Sequence, residues 1–171
     1  MIMKKILFSL SLLLLLASCD EHKVKVVEGS RVRTEYQVLE DENGIEINDG
    51  YYNEYFLSGE MASTGTYVMG KKDGEWKTFA KSGSLIGIVS YKNDTLHGRC
   101  AQMDEDGRII MEKFCKNGVL DSLYTLSLQP GLVTMQGYYE NGEKDGVWKF
   151  CCKNDTCLFE ITYNKGEIVL Q

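Results

Sequence analysis

The chain has 171 residues, a net charge of −6, 43% hydrophobic residues and one proline. That composition excludes a disordered chain, and the length suits one domain. The negative charge makes nucleic acid and anionic headgroups poor electrostatic partners.

Residues 1–18 read as a signal peptide. A short positive start, MIMKK, precedes the apolar run ILFSLSLLLLL, which is too short to span a bilayer as a helix. The string Leu16-Ala17-Ser18-Cys19 behind it resembles a bacterial lipobox. The resemblance implies cleavage before Cys19, a lipid on that cysteine, and an outer-membrane lipoprotein of the cell envelope on its periplasmic or surface-exposed face. Asp20-Glu21 resembles the acidic sorting signals of surface lipoproteins in Bacteroidota. Loss of Lys4 and Lys5 with the signal would move the net charge from −6 to −8. Residues 19–30, polar and charged, are read as a tether with His22 in it. Residues 31–49 are read as a lead-in hairpin that caps the array, turning at Asn43-Gly44.

From residue 50 to the end at 171 the chain repeats itself. GKKDGEWK at 70–77 returns as GEKDGVWK at 142–149, and the offset of 72 divides into three steps of 24. Gly50, Gly74, Gly98, Ser122 and Gly146 form one column; Gly59, Gly83, Gly107, Gly131 and Asp155 form another. Tyr52, Trp76, Cys100, Tyr124 and Trp148 supply large residues, and Tyr67, Tyr91, Cys115, Tyr139 and Tyr163 a second set. Asp49, Asp73, His97, Asp121 and Asp145 precede the first glycine of each unit. A fixed period of this kind marks an array of identical supersecondary units.

Each unit reads as a β-hairpin. Segments of about eight residues between turn signals have strand length. Two-residue turns are expected at Ser58-Gly59, Ser82-Gly83, Asp106-Gly107 and Asn154-Asp155, and turns also at Asn93-Asp94, Asn117-Gly118 and Asn141-Gly142. Pro130-Gly131 predicts a looser loop, because a type II turn fits a two-residue hairpin badly. Second strands alternate, as in Leu85, Gly87, Val89, Tyr91 and in Cys157, Phe159, Ile161, Tyr163, so one face is apolar. Pairing 152 with 157 puts Cys152, Phe150 and Trp148 on that face, and Leu128, Leu126 and Tyr124 in the unit before. The third unit is poorer there, with Asp104 and Gln102. The expected fold is all-β: an elongated antiparallel hairpin array of five 24-residue units, about twelve strands in a single twisted sheet.

The pattern Tyr139-x-Asn141-Gly142-x-x-Asp145-Gly146-x-Trp148 resembles the MORN-repeat-variant family of bacteria, many members of which are described as antitoxin-like. The resemblance covers 50–169 and is weakest in the third and fourth units, where Cys100, Cys115 and Ser122 depart from it. It implies a non-catalytic binding or scaffolding role with a protein partner it does not name, or, as the alternative, an antitoxin- or immunity-like protein that neutralises a toxin by binding it.

The residues offer little chemistry beyond this. Catalysis needs a unique constellation, whereas the Asp column recurs every 24 residues as turn chemistry does. His97 reads as one more turn residue. HGRC at 97–100 lacks the paired spacing of a zinc site, so His97, Cys100 and Cys115 are not read as ligands. No metal, cofactor, nucleic acid or enzymatic activity is expected, and the membrane is met only through the N-terminal lipid. Tyr52, Trp76, Tyr124 and Trp148 are read as core, with a sugar or peptide platform as the lesser reading. Export would favour a Cys152–Cys157 disulfide across the last hairpin, with Cys151 on the other face. Cys100 and Cys115 fall diagonally on the apolar face; buried thiols are expected there, with a bond between them the second choice.

Overall fold

The computed structural model describes residues 22–129, 133–152 and 156–170, and side chains within these except those of 128, 129, 133 and 152. The signal, Cys19, Asp20-Glu21 and the turns at Pro130-Gly131 and Asn154-Asp155 lie outside the described residues. The fold is all-β, one open sheet of 13 strands in strict sequence order, each antiparallel to the next. The strands are β1 (Lys23–Glu28), β2 (Val32–Glu40), β3 (Glu46–Phe56), β4 (Met61–Val68), β5 (Lys71–Phe79), β6 (Leu85–Lys92) and β7 (Thr95–Met103). They continue as β8 (Ile109–Lys116), β9 (Val119–Gln129), β10 (Val133–Glu140), β11 (Glu143–Cys152), β12 (Thr156–Asn164) and β13 (Glu167–Ile168). No helix occurs among the described residues.

Two kinds of turn alternate. At Met69-Gly70, Asn93-Asp94, Asn117-Gly118, Asn141-Gly142 and Lys165-Gly166 both residues have positive φ, between 48° and 89°. These are two-residue type I′ hairpins, whose twist matches the strands they join. Asn93-Asp94 manages without glycine; Asp94 compensates by exchanging hydrogen bonds with the Lys72 backbone, at 2.9 Å through its own N–H and 2.7 Å through its carboxylate.

The other turns correct an expectation. Ser58-Gly59, Ser82-Gly83 and Asp106-Gly107 are the ends of three-residue loops, not two-residue turns. Phe56 N–H donates to the Glu60 carbonyl at 2.8 Å and Gly59 N–H to the Phe56 carbonyl at 2.9 Å, with the same bonds at Ala80/Ser84 and Asp104/Arg108. Only the glycine of each loop has positive φ, and Ser58, Ser82 and Asp106 do not. A type I′ turn needs two such residues, so the chain forms a type I turn closed by a glycine bulge.

The register shifts at every one of these tips. Tyr55 faces Met61, Phe79 faces Leu85 and Met103 faces Ile109. Skipping Ala62, Ile86 and Ile110 then restores Glu54 opposite Ser63, Thr78 opposite Gly87 and Gln102 opposite Met111. The last hairpin follows suit: Cys151 faces Cys157 and Cys152 faces Thr156, while Phe150 still faces Phe159 and Trp148 faces Ile161. The pairing of Cys152 with Cys157 is therefore corrected by one residue, because the register shifts between Phe150 and Cys151 as it does at the other tips.

Residues 23–28, placed in a tether by sequence, form β1 and pair along their whole length with β2. Lys23-Val24-Lys25-Val26 alternates as a strand does, and its lysines reach Glu40 and Glu46. The lead-in hairpin and the first unit share β3 without a break. Its turn is the three-residue kind, with Asp41 N–H bonded to the Ile45 carbonyl at 2.9 Å.

Candidate functional site

A single sheet has no second layer to cover its apolar face, so this face covers itself. Tyr52, Tyr67, Trp76 and Tyr91 meet edge to face or tilted, with ring centroids 5.0–6.5 Å apart, and Tyr36 extends the row at 6.1 Å. Tyr124, Tyr139, Trp148 and Tyr163 repeat the arrangement at 5.1–6.1 Å. Such contacts each contribute about 0.5–1.5 kcal/mol beyond buried area.

The indoles sit directly on backbone. A Cβ built on Gly65 would lie 2.2 Å from Trp76, and one on Gly137 2.3 Å from Trp148. Trp148 is fully buried and donates its Nε1–H to the Tyr138 carbonyl at 3.1 Å; Trp76 is half-buried, and its Nε1 has no partner. Lys72 and Lys144 close the two clusters from outside, with Nζ 4.1 and 4.3 Å from the indole centroids. Sequence reasoning missed these lysines, although Lys72 and Lys144 stand four residues before each tryptophan in the duplicated string. Tyr52 donates to Glu54 at 2.8 Å, and Ser63 donates to the same carboxylate at 2.8 Å. Burial, then that hydrogen bond, push the Tyr52 hydroxyl up to about 12.

The rim beside this face gives the Asp column its meaning. Asp49 accepts from Met69 N–H at 2.7 Å, Asp73 from Asn93 N–H at 3.2 Å and Asp145 from Lys165 N–H at 3.3 Å. His97 does the same through Nδ1 to Asn117 N–H at 3.4 Å, which places its own proton on Nε2. Each side chain pins the type I′ turn of the next hairpin, 20 residues on. A main-chain bond backs it up, as from Gly70 to Asn48 at 2.7 Å and from Gly166 to Lys144 at 2.8 Å. The Met69 amide, then His22 at 2.7 Å, hold the Asp49 carboxyl below its ordinary range. Gly50, Gly74, Gly98 and Gly146 follow at φ between 69° and 101°, where the odd strand bulges; Ser122 takes the same place at φ 75°, and its hydroxyl reaches Asp121 at 3.1 Å.

The first and second units form one cluster and the fourth and fifth the other; the third, between them, interrupts the row. Cys100 and Cys115 occupy the two aromatic columns, 4% and 6% exposed. Burial, then the neighbouring Cys100, push the Cys115 thiol up. Gly131 and Asp155 lie outside the described residues. Among the described residues no group of three or more His, Cys, Asp or Glu side chains is placed to hold a metal.

The opposite face carries cross-strand polar pairs: Asn53–Thr64 at 2.6 Å, Arg99–Glu112 at 2.6 Å and Lys149–Glu160 at 3.5 Å. The two edges differ. β1 presents lysines, the usual guard of a free edge. β12 meets β13 only at Tyr163 and Asn164, and Val169 N–H reaches the Thr162 carbonyl at 2.9 Å. From Thr156 to Ile161 no strand lies on its outer side among the described residues. Leu158 and Phe159 are 58% and 52% exposed there, and Phe159 stacks on Phe150 at 4.4 Å. No protein-family model matches the chain, and no curated protein matches it in sequence.

Proposed function

We propose that the protein is a non-catalytic binding scaffold of the cell envelope, anchored in the outer membrane by lipid on Cys19 and engaging a protein partner through its sheet. The observation that carries this reading is the outer side of β12, with Leu158 and Phe159 exposed beside backbone groups that no strand covers among the described residues. An extended segment of a partner adds to such an edge; main-chain hydrogen bonds give affinity and side-chain contacts give specificity. The recurring carboxylates support the non-catalytic part. Asp49, Asp73 and Asp145 are each engaged by a turn amide rather than facing another acid. The anchor rests on Leu16-Ala17-Ser18-Cys19 behind an apolar run.

A photo-crosslinking residue placed at Leu158 in cells, with Glu75 as the comparison position, tests the edge. A discrete adduct from 158 that disappears with Phe159→Glu is expected. No adduct, or equal adducts from both positions, refutes the edge. Labelled palmitate should enter the wild type and not Cys19→Ser; entry into both refutes the anchor. A captured partner whose toxicity falls on binding would make the role one of immunity.

A further inference from the structure

The two aromatic columns change together in one unit and nowhere else. In the four other units the same diagonal pair is a ring contact: Tyr52–Tyr67 at 5.6 Å, Trp76–Tyr91 at 6.5 Å, Tyr124–Tyr139 at 5.6 Å and Trp148–Tyr163 at 6.1 Å. Side chains in these columns therefore lean toward each other across the pair of strands. At the third unit the pair is Cys100 on β7 and Cys115 on β8, set diagonally by the register Gly98 to Cys115 and Cys100 to Lys113. Both thiols are free. We propose that Cys100 and Cys115 form a thiol–disulfide exchange site on the apolar face, taking small or protein disulfides as oxidant.

Geometry sets the character of the bond. Diagonal residues of an antiparallel pair stand about 7–8 Å apart at Cα, just beyond the span a relaxed disulfide accepts. Closure draws β7 and β8 together and strains the bond. A strained disulfide is easily reduced, which suits exchange and not permanent stapling. Cys100 is the entry point. It borders an open apolar groove of about 350 Å³ together with Val89, Leu96 and Met111. The Cys100 thiolate attacks the oxidant's disulfide, giving a mixed disulfide and releasing one thiol. Cys115, having lost its proton, then attacks Cys100 sulfur and expels the second thiol. Two electrons pass from the pair to the oxidant, and two protons are released from the pair and taken up by the departing thiolates.

The test incubates the folded full chain with oxidised and then reduced glutathione, alkylates it, and maps tryptic peptides without reduction. Cleavage after Arg99, Arg108, Lys113 and Lys116 isolates the two cysteines on separate peptides, 100–108 and 114–116. A 100–108/114–116 peptide, lighter by two hydrogens than its parts, should dominate in oxidised glutathione and vanish in reduced glutathione. In Cys115→Ser, Cys100 should be recovered as its glutathione adduct. The C19S/C151S/C152S/C157S background removes the four other cysteines; should it fail to fold, the wild-type map still identifies the pair. Recovery of Cys100 and Cys115 as separate thiols, as separate adducts, or joined to Cys19, Cys151, Cys152 or Cys157 would overturn the proposal. So would a 100–108/114–116 bond that reduced glutathione leaves intact.

Discussion

Gly137→Ala isolates the contact on which the apolar face depends. Gly137 lies in β10 with no positive φ, so its backbone accepts alanine without strain. The added methyl would stand 2.3–2.5 Å from three indole atoms of Trp148. That ring cannot retreat cheaply: Tyr124, Tyr139 and Tyr163 surround it, Lys144 covers it, and its N–H is held by Tyr138. Overpacking of this kind costs about 1–3 kcal/mol. Losing the indole hydrogen bond adds about 1 kcal/mol, and loss of the cation–π contact about 0.5–1 kcal/mol. Together these give about 2.5–5 kcal/mol, comparable to the roughly 3–5 kcal/mol of removing a core tryptophan outright. Gly87→Ala is the matched control: its methyl would meet nothing closer than Thr78 Cβ at 3.5 Å, so it should be neutral or stabilising by about 0.4–1 kcal/mol. Urea unfolding followed by far-UV circular dichroism measures both. The decisive comparison is Gly137→Ala in a Trp148→Ala background, where the penalty should vanish. A penalty that persists without the indole, or one under about 0.5 kcal/mol with it, would refute the reasoning.

Ser122→Gly should stabilise the protein by about 0.5–1 kcal/mol, since a non-glycine residue at positive φ costs about 1–2 kcal/mol and glycine entropy returns part of it; a lower midpoint in urea would contradict this. Asp49 has its folded pKa held down by the Met69 amide and His22. Its contribution is therefore present above the unfolded value, about 3.9, and is lost as pH falls through the folded one. Asp49→Asn should flatten the acid limb of a stability–pH profile, and an unchanged limb would count against the pin. Tyr52 has its folded value raised to about 12, so its contribution is full below the unfolded value of about 10 and is lost as pH rises toward 12. An absorbance titration of Tyr52→Phe should lose part of the late-ionising signal; loss of only early signal would place Tyr52 outside the buried cluster.

Much of the fold was written in local sequence, because hairpins are local objects. The 24-residue phase, the strand lengths, the alternation of Leu85-x-Gly87-x-Val89-x-Tyr91 and the Asn-Gly turns all follow from contacts within a few residues. Beyond Phe150 and Phe159 even the register was legible, since only one pairing gathers the large residues on one face. The tips were not: Ser58, Ser82 and Asp106 each stand before a glycine as in a two-residue turn, yet only the glycine takes positive φ, and local sequence does not separate the two loop lengths, since Asp-Gly also suits a two-residue turn. The register shift at the last tip moved Cys151 opposite Cys157.

What the tertiary structure decided involves partners from the next hairpin. The Asp column looked like turn chemistry of its own unit, yet Asp49 serves Met69 and Asp145 serves Lys165. Gly65 and Gly137 carry no positive φ and give no local signal; they are glycine because an indole from the following strand rests on them. Residues 23–28 read as charged tether, since their alternation is short and only the free side of β2 makes it a strand. The hairpin unit is encoded locally, because its energy lies in nearby residues. The stacking of one unit on another, about 20 residues away along the chain, determined what each conspicuous residue is for.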